Sequence, residues 1–105
     1  DGSDAVDAEV RIDADARRAY FHDEEMQLTA KEFDLLRVLV RERGRVVTRE
    51  QLMREIWDTE LFGSTKTLDM HISVLRKKLG DDVAQPRFIS TVRGMGFRFE
   101  RPAAG

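Results

Sequence analysis

Residues 64–80 read STKTLDMHISVLRKKLG, and the fold turns on this stretch. At about 100° per residue, Leu68, Ile72, Leu75 and Leu79 fall within roughly 60° of one another. That is the stripe of a helix resting on a core. The helix is expected to run from about Ser64 or Thr65 to Leu79, with Gly80 as its stop. The opposite side carries Lys66, Met70, Ser73 and Lys77, with Val74 close by. Asp69 and Arg76 flank one edge; Thr67, His71 and Lys78 flank the other.

Two lysines, a serine and two apolar side chains make an unusual outward face. A solvated cationic helix accounts for the lysines alone. A DNA major groove accounts for the whole set: it admits one helix, Ser or Lys can bond base edges, and Met or Val can touch thymine methyls.

Downstream, 88–92 reads as a strand and Arg93-Gly94-Met95-Gly96 as a hairpin turn. Residues 97–100 return with Phe97 and Phe99 on one face. Arg93 at a glycine-rich tip suits entry into a minor groove, and Thr91 offers a hydroxyl to a phosphate. The alternative is that the glycines serve turn geometry and the arginine is solvated. Helix and hairpin together describe a groove-reading helix with a wing.

Upstream, Thr29-x-x-Glu32 is a capping box, with Leu28 and Phe33 as its hydrophobic staple. Phe33, Leu36 and Val40, with Leu35 and Leu39 beside them, give a helix to about Arg43, stopped by Gly44. Residues 45–47 read as a short extended link. Thr48-x-x-Gln51 is a second box, with Val47 and Leu52 as its staple. It opens a shorter helix that buries Leu52, Met53, Ile56 and Trp57. So short a link suits a helix-turn-helix. Before these, strands are expected around Val10 and Ile12, over 18–21 and over 25–28, with turns at 13–15 and 22–24. Residues 1–7, DGSDAVD, have linker character, which leaves 8–105 as one domain.

Composition bounds the rest. The chain has 105 residues, 41% hydrophobic and 36% charged, enough for one core under a charged surface. Having no cysteine, it excludes disulfide, thiol and Cys–zinc chemistry. No apolar run approaches the ~20 residues of a membrane span, and no signal-peptide pattern opens the chain, so a cytoplasmic domain is expected. The formal net charge of −2 argues at first against a nucleic-acid partner. It hides a gradient. Residues 1–28 hold nine acids against three arginines, 29–60 hold seven of each sign, and 61–105 hold eight bases against four acids. The positive part coincides with the helix and hairpin.

The chain resembles the C-terminal effector domain of OmpR/PhoB-type response regulators. The resemblance rests on LTAKEFDLL (28–36), GRVVTREQL (44–52) leading to Trp57, TLDMHISVLRKKL (67–79) and ISTVRGMGFRF (89–99), and covers about residues 8–101. It implies an α+β winged helix-turn-helix: an N-terminal antiparallel sheet, three helices and a C-terminal hairpin wing. It also implies duplex DNA binding by head-to-tail homodimers on direct repeats, with helix 64–79 in the major groove and wing 92–97 in the minor groove. By position, Lys66, His71, Ser73, Val74 and Arg76 fall on phosphate or base contacts, Met70 on a thymine-methyl contact, and Thr91 and Arg93 on wing contacts. Lys77 is expected at a phosphate from its place on the outward face. Ser73-Val74 stands where some members carry arginines, so base preference is expected to lean on apolar contact and shape. Leu61 and Phe62 fall in the loop, 58–63, that touches RNA polymerase in some members; two apolar loop residues can equally pack down. The family's phosphorylatable receiver domain would precede residue 1. The chain is therefore expected to bind DNA without phosphorylation, and more weakly than a phosphorylated full-length dimer.

Other classes fit less well. The only histidines, His22 and His71, are far apart in sequence, so no enzyme, metal or cofactor is expected. His22 beside Asp23-Glu24-Glu25 is a solvated turn before it is a metal site. Gly94-Met95-Gly96 is too short for a nucleotide loop and lies in a hairpin. The remaining rival is a winged helix that docks a protein.

Overall fold

The computed structural model describes residues 10–57, 66–81 and 88–100. Strands β1 (Val10–Asp13), β2 (Arg18–Phe21) and β3 (Glu24–Glu25) form an antiparallel meander in that order. The Asp13 carboxylate accepts from the Ala16 N–H at 3.2 Å and holds the first turn. The second connection is only His22-Asp23, with φ of 53° and 69°. Two successive positive φ values give the primed turn that matches strand twist, which sets Phe21 opposite Glu24. The third strand is thus shorter and earlier than the 25–28 expected. Met26 adds one bond to the Ala19 carbonyl at 2.8 Å, and the chain then turns into the cap of the next helix.

Helix α1 (Ala30–Arg41) begins with both halves of the expected capping box. The Glu32 N–H donates to Thr29 Oγ1 at 3.2 Å, and the Thr29 N–H donates to Glu32 Oε1 at 3.0 Å. The helix ends at Arg41, two residues before the expected end at Arg43. Glu42 caps it, and Gly44, at φ 84°, turns the chain so that its N–H meets the Phe99 carbonyl at 2.8 Å.

That bond leads into a strand where a plain link was expected. β4 (Val46–Thr48) pairs with β6 (Gly96–Phe99), which also pairs with β5 (Ile89–Val92), giving the order β4-β6-β5. The wing is therefore part of a three-stranded sheet anchored between the first two helices. Three residues without a local partner carry no strand period of their own, so the link gave no sign of pairing. Helix α2 (Arg49–Trp57) starts with Thr48 Oγ1 accepting from the Gln51 N–H at 3.0 Å; the Gln51 amide turns along the helix to Glu55. Helix α3 (Lys66–Leu79) buries Leu68, Ile72, Leu75 and Leu79 as its period requires. Its expected start at Ser64 or Thr65, the loop 58–63 with Leu61 and Phe62, and the linker 1–7 lie outside the described residues.

The three helices and both sheets share one core. Leu35, Leu36, Leu39, Leu52, Leu68 and Leu75 are fully buried, with Phe88, Phe97 and Phe99 closing it from the wing side. Each such side chain stabilises the fold by about 1.5–3 kcal/mol relative to exposure.

Among the described residues, Glu32 is the charged side chain buried against this core. Glu32 accepts from Lys78 Nζ at 2.7 Å, and Lys78 also donates to the Gln27 carbonyl at 2.6 Å. Burial alone would raise the Glu32 pKa. The Lys78 ammonium and the Thr29 N–H outweigh it and hold the carboxyl below its ordinary value of 4.5. A depressed folded pKa contributes stability that is present above 4.5 and lost as pH falls through the lower folded value. Lys78→Met removes the counter-charge and leaves burial dominant. Urea denaturation should find this variant less stable at neutral pH by about 1–3 kcal/mol. Its deficit should shrink on acidification through the carboxylate range. Parallel pH profiles for the two proteins would refute the assignment.

Candidate nucleic-acid interface

Helix α3 presents the expected outward face. Lys66, Met70, Ser73 and Lys77 are exposed and Val74 is half-buried, opposite the buried stripe. Among the described residues, Met70 and Met95 are the large hydrophobic side chains left exposed, at 57% and 55%. Met95 was not singled out from the sequence. Its signal was its place at a hairpin tip, outside the strand alternation that buries Phe97 and Phe99.

The wing tip is closed by the Met95 N–H on the Val92 carbonyl at 2.9 Å, with Gly94 at φ 77°. Arg93 is exposed there. Gly96, expected in the turn, instead lies in β6 opposite Val92 and Thr48. A Cβ at Gly96 would sit 2.0 Å from the Val47 carbonyl oxygen. This glycine serves the close approach of β4, while Gly94 serves the tip.

The charged residues of α3 divide by partner. Arg76 leans onto the wing: Nε and Nη2 donate to the Ile89 carbonyl at 3.3 and 3.0 Å, and Nη2 donates to Thr91 Oγ1 at 2.8 Å. Thr91 remains exposed, with its hydroxyl proton still to donate. Lys78 is held by α1, as described above. Asp69, the only acid of α3, pairs with Arg49 of α2, whose guanidinium also lies 4.8 Å from the Phe97 ring centre. His71 sits at the flank, half-buried. Its Nδ1 is 2.8 Å from the Thr67 carbonyl and its ring meets Trp57 edge-on at 5.2 Å. If Nδ1 carries the proton of that bond, Nε2 is the ring atom left for a partner.

The structure thus joins Lys66, Met70, Ser73, Val74 and Lys77 on one face, with Thr91 and Arg93 on the adjoining wing. The acids of the N-terminal sheet, Asp13, Asp15, Asp23, Glu24 and Glu25, are exposed on a separate element. Among the described residues no cluster of three or more His, Asp or Glu could hold a metal, and no helix is long and apolar enough to cross a membrane.

Comparison with known proteins agrees with this geometry. The profile of the family described as "Transcriptional regulatory protein, C terminal" matches residues 23–99. The alkaline phosphatase synthesis transcriptional regulatory protein PhoP of Bacillus subtilis is 40% identical over 97 residues, 92% of this chain and 40% of that protein. The chain therefore spans well under half the length of that relative. The DNA-binding domain of Klebsiella pneumoniae RstA, solved in complex with its RstA box, superposes with a TM-score of 0.83 at 31% identity, over 90% of this chain and 93% of that one. The Thermotoga maritima response regulator DrrB, an OmpR/PhoB homologue, gives a TM-score of 0.77 at 33% identity over 89% of this chain and 42% of its own. With the winged-helix architecture and the shared motifs, these matches show that the chain belongs to the C-terminal domains of transcriptional regulatory proteins, the DNA-binding output domains of OmpR/PhoB-type response regulators.

Proposed function

We propose that this domain binds duplex DNA in a sequence-specific manner and serves in the cytoplasm as the output half of a response regulator controlling transcription. The observation that carries this is the α3 face: cations at both ends, Ser73 and two apolar side chains between, and a wing with an exposed arginine beside it. Lys66 and Lys77 meet phosphates, and so does His71 from the flank. Ser73 bonds a base edge; Met70 and Val74 contact thymine methyls. Arg93 enters the neighbouring minor groove while Thr91 donates to a phosphate. Two copies bind head to tail on direct repeats. Leu61 and Phe62 are proposed as an RNA polymerase contact on the strength of the family resemblance alone. The solved RstA complex with its box supports the DNA reading.

Selection of bound duplexes from a random pool, followed by footprinting, tests the proposal. Two direct-repeat half-sites about one helical turn apart are expected. Affinity should fall with salt at a log–log slope of roughly −0.9 per phosphate contact. Val74→Ala should change the base preferred at one position of each half-site. No enriched sequence together with a flat salt response would transfer the α3 face to a protein partner.

A further inference from the structure

β5 is an outer strand of the wing sheet, and Arg76 in the last turn of α3, with Asp81 two residues beyond that helix, grips both main-chain groups of Ile89. The Asp81 carboxylate accepts from the Ile89 N–H at 2.9 Å and from the Phe88 N–H at 3.3 Å. The Arg76 guanidinium takes the Ile89 carbonyl and reaches on to Thr91 Oγ1. The two gripping residues are themselves tied, since the Asp81 N–H donates to the Arg76 carbonyl at 2.8 Å. Only Val92 separates Thr91 from Arg93 at the wing tip.

This matters for a domain that must seat a helix and a wing in two grooves at once. The angle between α3 and β5 sets whether Arg93 reaches the minor groove when Lys66 and Lys77 straddle the major one. Arg76 lies between the two elements. Its planar fork can hold a carbonyl and a hydroxyl in fixed directions, which a lysine ammonium cannot. Three of its contacts are already made within the protein.

We infer that Arg76 is a positioning residue: it clips the wing to the recognition helix and sets affinity through Arg93, not through a DNA contact of its own. The inference rests on the proposed docking of α3 and the wing. It departs from the position-by-position expectation that places Arg76 on DNA.

Two measurements test it. The first needs no DNA. The chain has no cysteine, so spin labels at Ser73→Cys and Met95→Cys report one helix-to-wing distance. A narrow distribution is expected, broadened by Arg76→Gln and equally by Arg76→Lys. Thr91→Val, which keeps the arginine, should broaden it in part and serves if an Arg76 variant fails to fold. An unchanged distribution overturns the clip.

The second is a thermodynamic cycle on a selected duplex. Arg76→Gln should lower affinity roughly tenfold, the scale of a lost charge-assisted bond. In the Arg93→Ala background the same change should cost less than about a third of that factor, because the wing contact it positions is already gone. Additive effects, rescue by Arg76→Lys, or a further drop of roughly 0.9 in salt slope beyond Arg93→Ala would identify a direct phosphate contact and overturn the inference. A broadened distance with no effect of Arg93→Ala on affinity would leave the clip standing and overturn its link to DNA, together with the wing docking.

Discussion

Gly96→Ala is expected to destabilise the domain by about 3 kcal/mol, the upper end for overpacking a tight site. The cause is geometric. The added methyl would sit 2.0 Å from the Val47 carbonyl oxygen, 2.8 Å from Thr48 Cα and 2.9 Å from the Val47 carbonyl carbon. All three atoms are backbone of β4, so no side-chain rotation relieves the clash. β4 and β6 must part, which breaks the pairing of Val47 with Phe97 and of Thr48 with Gly96. It also loosens Phe97, which is 2% exposed and faces the Arg49 guanidinium. Thermal unfolding should show a midpoint lower by about 12–24 °C. Gly94→Ala is the internal reference. A methyl there meets nothing within 4 Å but holds alanine at φ 77°, a penalty of about 1–2 kcal/mol. Gly96→Ala melting at or above Gly94→Ala would refute the steric account.

Ser73→Glu is expected to reduce affinity for every duplex at least a hundredfold, the scale of several kcal/mol for like charges brought together. Ser73 is exposed at the middle of the α3 face, between Met70 and Lys77. In the proposed docking, a carboxylate at that point would face the phosphate field and the acceptors of the major-groove floor with no cation on the DNA to receive it. The fold should tolerate the change, since the site is open and Glu suits a helix interior better than Ser. Electrophoretic shift and thermal unfolding separate the two effects: binding lost, melting temperature kept within about 2 °C, as expected for a surface change of ±0.5 kcal/mol. Retained binding would remove α3 from the groove. An equal loss from Ala14→Glu, the same charge change at an exposed turn of the N-terminal sheet, would show that overall charge, and not this face, governs affinity.

Much of this domain was legible in its sequence because the signals were local. Thr29 and Glu32 cap α1 across three residues, and the Leu68-Ile72-Leu75-Leu79 stripe needs only the helical period. Gly80 follows the last residue of α3 in the left-handed backbone that other residues avoid, and Gly44 turns the chain in the same conformation after Glu42 has capped α1. The outward face of α3 followed from the same period. The net charge of −2 likewise resolves along the chain into an acidic front and a basic end.

What escaped depends on partners distant in the chain. Residues 46–48 look like a link until β6 arrives beside them, and Gly96 looks like a turn residue until the Val47 carbonyl fixes its purpose. The cations of α3 show the same limit most clearly. Arg76, Lys77 and Lys78 are consecutive and carry like charge. Tertiary packing gives Arg76 to the wing and Lys78 to Glu32, 46 residues away, and leaves Lys77 exposed. The sequence by itself determined the helices, the α1 capping box, the buried stripe of α3 and its outward side, since these arise from hydrogen bonds and side-chain periods within one or two turns. Only the tertiary structure decided which cations are spent inside the fold and how the wing is held, because those choices depend on which element lies across each side chain.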